Sequence, residues 1–265
     1  MSNPRLPEEL LDHIVDLLHD TEDALRNCCL VSKSWISRTR KHLFAHVKIR
    51  YEDNLKSWKE AFPDPSTSPA HYAETLSIRC LHAVTAADAE PGGWITGFSR
   101  VVHFDVTGQG LFFVQSKVPP TPFHGFSPVV KSLRFDFDFL PSSRIFNLAL
   151  SFPLLEDLTV IALYDGAFGN KDNVDGLSAA VQPSNPPIFT GSLELIIKRG
   201  MELIVRRLLS LPGGIHFRKL ALGWFREEDI SLTAALVEGC SSTLESLHLI
   251  CGLVGTFIRC LRLHL

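Results

Sequence analysis

Few residue pairs in this chain stand at spacings that chemistry requires. His42 and His46 are four apart, as two metal ligands on one helical face would be, but no Glu accompanies them and the helical pattern is ending there. They read as surface histidines. Gly108-Gln109-Gly110 lacks the third glycine of a phosphate-cradling turn and runs on into Leu111-Phe112-Phe113. Gly213-Gly214 closes a helix-like segment, where a C-terminal cap takes glycine. The six cysteines, Cys28, Cys29, Cys80, Cys240, Cys251 and Cys260, include no C-x-x-C pair, so neither a zinc ribbon nor a dense disulfide framework is encoded. Cys240, Cys251 and Cys260 are spaced like core positions, where cysteine behaves as a small hydrophobe. No serine occupies a G-x-S-x-G elbow. No catalytic group, metal site or cofactor is assigned, and the chain is expected not to be an enzyme.

The elements that carry these residues belong to an ordinary folded chain. At 265 residues, with 45% hydrophobic and 21% charged residues, there is room for a small module and a larger one with a sizeable core. A net charge of −3 gives no global attraction to nucleic acid or to an anionic membrane. No stretch approaches the roughly 18 uninterrupted apolar residues of a membrane span, and no basic start precedes an apolar run at the N-terminus. Neither nucleic acid nor membrane is therefore an expected partner. With no N-x-S/T sequon either, a reducing compartment, cytoplasm or nucleus, is expected. Charge is uneven locally: residues 1–30 are strongly acidic, whereas 33–50 hold Lys33, Arg38, Arg40, Lys41, Lys48 and Arg50 without an acid. Trp35, Ile36, Leu43 and Phe44 recur there at helical spacing, which makes the segment a helix with one apolar and one solvated basic face.

Three short helices are predicted at the start. In LPEELLDHIVDLL, Leu6, Leu10, Ile14, Leu17 and Leu18 recur at three- and four-residue steps, and Pro7 suits a first helical turn. Asp20 and Thr21 precede a second helix with Ala24, Leu25, Cys28, Cys29 and Val31 on its inner face, and Ser32 or Ser34 opens a third. The register of Leu6-Pro7, Ile14, Leu30-Val31-Ser32 and Trp35 resembles the F-box consensus, a Leu-Pro opener followed by a Leu-Val-Ser-x-x-Trp core. The resemblance spans about the first 45 residues. It implies a Skp-type adaptor as partner and an adaptor-binding surface made by Leu6, Pro7, Leu10, Ile14, Leu30, Val31 and Trp35. The alternative for several of these, Ile14 and Leu30 above all, is that they pack the three helices together.

Residues 60–73 hold three prolines among small polar residues and read as a connection. Beyond it an apolar-x-apolar pair recurs: Leu76/Ile78, Val102/Phe104, Leu133/Phe135, Leu158/Val160, Leu193/Leu195, Leu220/Leu222 and Leu247/Leu249, at steps of 25 to 35 residues. That is the range of leucine-rich repeats, in which one strand per unit buries alternate side chains only when a neighbour stacks on it. No unit carries the asparagine that full repeats place after the strand, so the region is repeat-like and resembles the divergent solenoids behind F-boxes in expanded fungal families. The fold class expected is α/β: a three-helix F-box over 1–50, a connecting segment over 51–73, and an irregular leucine-rich-repeat-like solenoid over 74–265. The Gly-, Asn- and Pro-rich stretch 164–192 reads as a tolerated or disordered insertion. The tail from Val254 reads either as a helix folding back to cap the last repeat or, in the favoured reading, as the exposed apolar end of a shortened receptor.

Two functions follow. The first is a substrate receptor of an SCF-type cullin-RING ubiquitin ligase, docking an adaptor through the F-box and a target protein, which no motif names, through the solenoid. The second is a non-catalytic interaction scaffold whose F-box-like helices cap the first repeat. They differ in whether the Leu6–Ile14 and Trp35 surfaces are open or packed against residues 76–104.

Overall fold

A computed structural model of the chain describes residues 7–79, 88, 93–108, 126–140, 146, 148–165, 187–197, 201–223, 230–252 and 258–264. Three helices open it: α1 (Glu8–Leu17), α2 (Glu22–Val31) and α3 (Lys33–Leu43). Pro7 stands at the N-cap of α1, and Glu8 and Glu9 in the first turn face the positive end of the helix dipole. Ser32 separates α2 from α3 in extended backbone and caps α3, its hydroxyl accepting the Ser34 N–H at 3.3 Å.

A nine-stranded sheet follows, its strands in sequence order: β1 (His46–Ile49), β2 (Thr75–Ile78), β3 (His103–Gly108), β4 (Ser132–Leu140), β5 (Asp157–Asp165), β6 (Ser192–Ile197), β7 (Lys219–Gly223), β8 (Ser246–Gly252) and β9 (Ile258–His264). β1 to β8 pair in parallel, each with the next. Two rungs of alternate residues cross all eight strands. One is Val47, Leu76, Phe104, Leu133, Leu158, Leu193, Leu220 and Leu247; the other is Ile49, Ile78, Val106, Phe135, Val160, Leu195, Leu222 and Leu249. All but the half-buried Leu249 are buried. The second predicted pair, on β3, is thus displaced by two residues: Phe104 and Val106 point inward, and Val102 lies half-buried before the strand. Val102, Phe104 and Val106 share one alternation, so only the pairing with β2 selects between the two choices.

The returns fill the other side of this core. α5 (Met201–Leu209) runs between β6 and β7 and buries Met201, Ile204, Val205 and Leu208; α6 (Ile230–Gly239) runs between β7 and β8 and buries Leu236. A phenylalanine precedes each strand from β3 to β7: Phe98, Phe126, Phe152, Phe189 and Phe217 are all buried. Ring centroids lie 4.8 Å apart for Phe104 and Phe126, 6.0 Å for Phe126 and Phe152, and 5.2 Å for Phe189 and Phe217, distances of tilted and edge-on aromatic packing. Cys240 is buried in the same core, where loss of solvent raises its thiol pKa and leaves it a small hydrophobe. The side chains of Cys251 and Cys260, and all of Cys80, lie outside the described residues. Strand entry is also repeated, because one carbonyl accepts two successive N–H groups of the next unit. Ala45 O takes Glu74 and Thr75, Glu74 O takes Val102 and His103, Val102 O takes Lys131 and Ser132, and Lys131 O takes Glu156 and Asp157.

The boundary predicted between helices and sheet shifts. Residues 46–49, placed with the F-box from sequence, form β1, and the expected connection over 51–73 holds α4 (Glu52–Ala61) and a 3-10 turn, Pro69–Tyr72. Leu55, Trp58 and Phe62 recur at helical spacing just ahead of Pro63, which cannot continue that helix. Trp58 lies 6.2 Å from Phe44, 5.0 Å from Phe62 and 5.5 Å from Phe98, ring centroid to centroid, and so ties the end of α3 to the first sheet unit. At the other edge, β9 pairs antiparallel with β8. The described part of the tail is therefore a strand and not the cap helix weighed from sequence. Residues 166–186 of the 164–192 insertion lie outside the described residues; 164–165 continue β5, and Ser192 begins β6.

Candidate functional site

α1 carries two apolar stripes. Leu11, Val15 and Leu18 turn inward, with Val15 fully buried, whereas Pro7, Leu10, Ile14 and Leu17 form a second stripe at three- and four-residue steps that faces solvent. Leu10 is 50% exposed, Ile14 40% and Leu17 69%. At the end of α2, Leu25 and Cys28 are buried, but Leu30 and Val31 are 85% and 68% exposed. Val31 therefore does not belong to the inner face predicted for it, since that face ends one turn earlier at Cys28. Ile14 and Leu30 do not pack the helices together either; both point outward. Trp35 is half-buried, and its carbonyl accepts the hydroxyl of the fully buried Thr39 at 2.7 Å. Leu6 lies outside the described residues. Leu17 is the residue of this exposed set that the resemblance left out; its place on the Leu10–Ile14 stripe was the available signal.

A polar clamp holds α1 against α3 behind this surface. Arg38 grips Asp16 with two hydrogen bonds, Nε donating to Oδ1 at 2.7 Å and Nη2 to Oδ2, while His42 Nε2 donates to Oδ1 at 2.7 Å. The bidentate geometry is the strong form of an Arg–carboxylate pair. The Arg38 bonds first, and the His42 bond next, hold the Asp16 carboxyl far below the usual carboxylate range. His42 is accordingly no free surface histidine: it is half-buried in the clamp, while His46 is exposed at the start of β1. No group of His, Cys, Asp and Glu able to hold a metal occurs among the described residues.

The clamp has a testable pH dependence. A carboxylate whose folded pKa is depressed contributes stability that is complete above its unfolded value and is lost as pH falls through the folded one. Asp16→Asn is expected to cost about 1 kcal/mol near neutral pH, a figure reduced for screening because the side chain is 34% exposed. The gap between the two proteins should narrow below about pH 4, where an ordinary aspartate begins to protonate in the unfolded chain. Urea unfolding of both proteins at neutral and acid pH measures it; a gap independent of pH contradicts the clamp.

What this surface offers is large aliphatic side chains on a short helical scaffold, the chemistry of a docking face. No helix among the described residues is long and apolar enough to cross a membrane. No curated protein matches the chain. Residues 4–46, which span all three helices and the clamp, match the family model of the F-box domain. The N-terminal helices that expose Leu10, Ile14 and Leu30 are thus an F-box domain, and the chain is an F-box protein.

Proposed function

We propose that this protein is the substrate-receptor subunit of an SCF-type cullin-RING ubiquitin ligase. The F-box docks a Skp-type adaptor through Leu6, Pro7, Leu10, Ile14, Leu30, Val31 and Trp35, and the sheet region, an irregular leucine-rich-repeat-like solenoid, holds a target protein. The observation that carries this reading is the outward stripe of α1 together with Leu30 and Val31, an apolar surface on a module too small to leave it uncovered without a purpose. The receptor contributes proximity: tethering raises the effective concentration of target lysines near the ubiquitin-charged enzyme, so the chain performs no chemistry itself. It acts in the cytoplasm or nucleus, where that machinery works.

The scaffold reading needs the α1 stripe to be covered by the first sheet units. Its exposure favours the receptor instead, and the junction to the sheet is made by Phe44, Trp58 and Phe98 on other elements. Mixed with a purified Skp-type adaptor, the chain is expected to elute as a one-to-one complex in size-exclusion chromatography. Separate elution at micromolar concentrations rules the receptor reading out.

A further inference from the structure

The sheet's outward face changes chemistry along its length. At the C-terminal ends of β1 to β4 a pocket of about 500 Å³ is lined by Lys48, Arg50, Ser77, Arg79, Thr107 and Asp136, among others. Its three cations are exposed, and none forms an ion pair among the described residues. The nearby acids are otherwise engaged: Asp136 pairs with Arg134 at 3.4 Å, and Asp105 accepts the Ser77 hydroxyl at 3.0 Å. Gly108 shapes the rim. At φ +151 it holds a conformation side chains rarely adopt, and a Cβ there would meet the Arg79 carbonyl oxygen at 2.8 Å.

The rung that starts in this pocket runs Thr107, Asp136, Ile161, Ile196, Gly223, Ile250, and so turns from polar to aliphatic at β5. Ile161, Ile196 and Ile250 are half-buried although they lie on the outward face. Gly223 leaves room for Ile196, since a Cβ there would come within 3.2 Å of its Cγ2. From β2 to β5 or β6 is three or four strand spacings of about 4.8 Å, the length of roughly four to six residues of extended chain.

We infer that this face binds an extended segment of the target protein that places carboxylates in the Lys48–Arg50–Arg79 pocket and, about four to six residues along, aliphatic side chains over Ile161 and Ile196. The inference rests on the receptor reading and gives its target a chemistry. The probes are fluorescein-labelled peptides with a glutamate tract, a short Gly-Ser spacer and a Leu-Val tract, in both orders, and counterparts with lysines for the glutamates. In fluorescence anisotropy with the full chain at low salt, one glutamate peptide is expected to bind at least about tenfold more tightly than its lysine counterpart, with the preference shrinking as salt screens it. Lys48→Glu with Arg79→Glu should abolish the preference, and Ile196→Asp should weaken both peptides. Arg50→Glu alone, at another exposed position, serves if the double variant does not fold. Equal binding of the two peptides, no measurable binding of either, or a preference that survives charge reversal overturns the inference. Adaptor co-elution of the same proteins separates the two claims: a complex without peptide discrimination sinks only this inference, and discrimination without a complex sinks only the receptor reading.

Discussion

A chain carrying Leu10→Glu and Leu30→Glu is expected to lose adaptor binding by more than about a hundredfold while unfolding at the same urea concentration as the parent. Both side chains are at least half exposed, so charging them costs the isolated fold little. In a complex each would be desolvated. Large apolar side chains at the centre of an interface are commonly worth about 2 kcal/mol or more, and burying an unpaired carboxylate adds a further penalty. Trp35 is the less informative target: it is half-buried and its carbonyl serves Thr39, so a change there mixes folding with binding. Titration calorimetry against the adaptor, with denaturation of the free proteins as control, makes the comparison. Undiminished affinity in a folded double variant would remove the outward leucines from the docking face and with them the main support for the receptor reading.

The second large effect is on stability and separates two registers of β3. Phe104→Ala is expected to destabilise the sheet region by about 3–5 kcal/mol, because the ring is fully buried between Phe126 and Phe152 and its loss leaves a cavity that neighbours cannot fill. Val106→Ala should cost an intermediate amount. Val102→Ala should cost less than about 1 kcal/mol, since Val102 lies half-buried outside the strand. The sequence pairing of Val102 with Phe104 makes the opposite forecast for the two valines. Urea midpoints of the three variants decide between them; a Val102 change more costly than the Val106 change would falsify the observed register.

Much of the architecture could be read from residue order. Alternating apolar pairs at steps of 25 to 35 residues called for parallel strands that bury one face only by stacking, and six of the seven pairs sit on the two buried rungs as read. The F-box was legible because Leu-Pro, Leu-Val-Ser and Trp stand in a fixed order over a short span, a local pattern that needs no knowledge of the rest of the chain. The phenylalanines ahead of the strands were equally visible in the sequence, and went unread because a lone aromatic in an irregular return has no periodicity to announce it.

Tertiary structure decided everything that depends on what lies opposite. Val102 and Val106 are equivalent to Phe104 under a two-residue period, and only hydrogen bonding to β2 chose between them. Both stripes of α1 are apolar, and the packing of α3 chose the one containing Val15, turning Leu10, Ile14 and Leu17 outward. His46–Ile49 looked like the end of a helical module until β2 provided an edge to pair with. Asp16, Arg38 and His42 are separated by 22 and 26 residues, and no local rule brings them together. The tail followed the same logic: crowded apolar residues fit a helix or a strand, and the free edge of β8 supplied backbone partners that made it a strand. Sequence by itself determined which side chains must leave water and with what period; which neighbour takes each of them, and so which remain outside to meet a partner, is settled only when distant segments compete for the same surface.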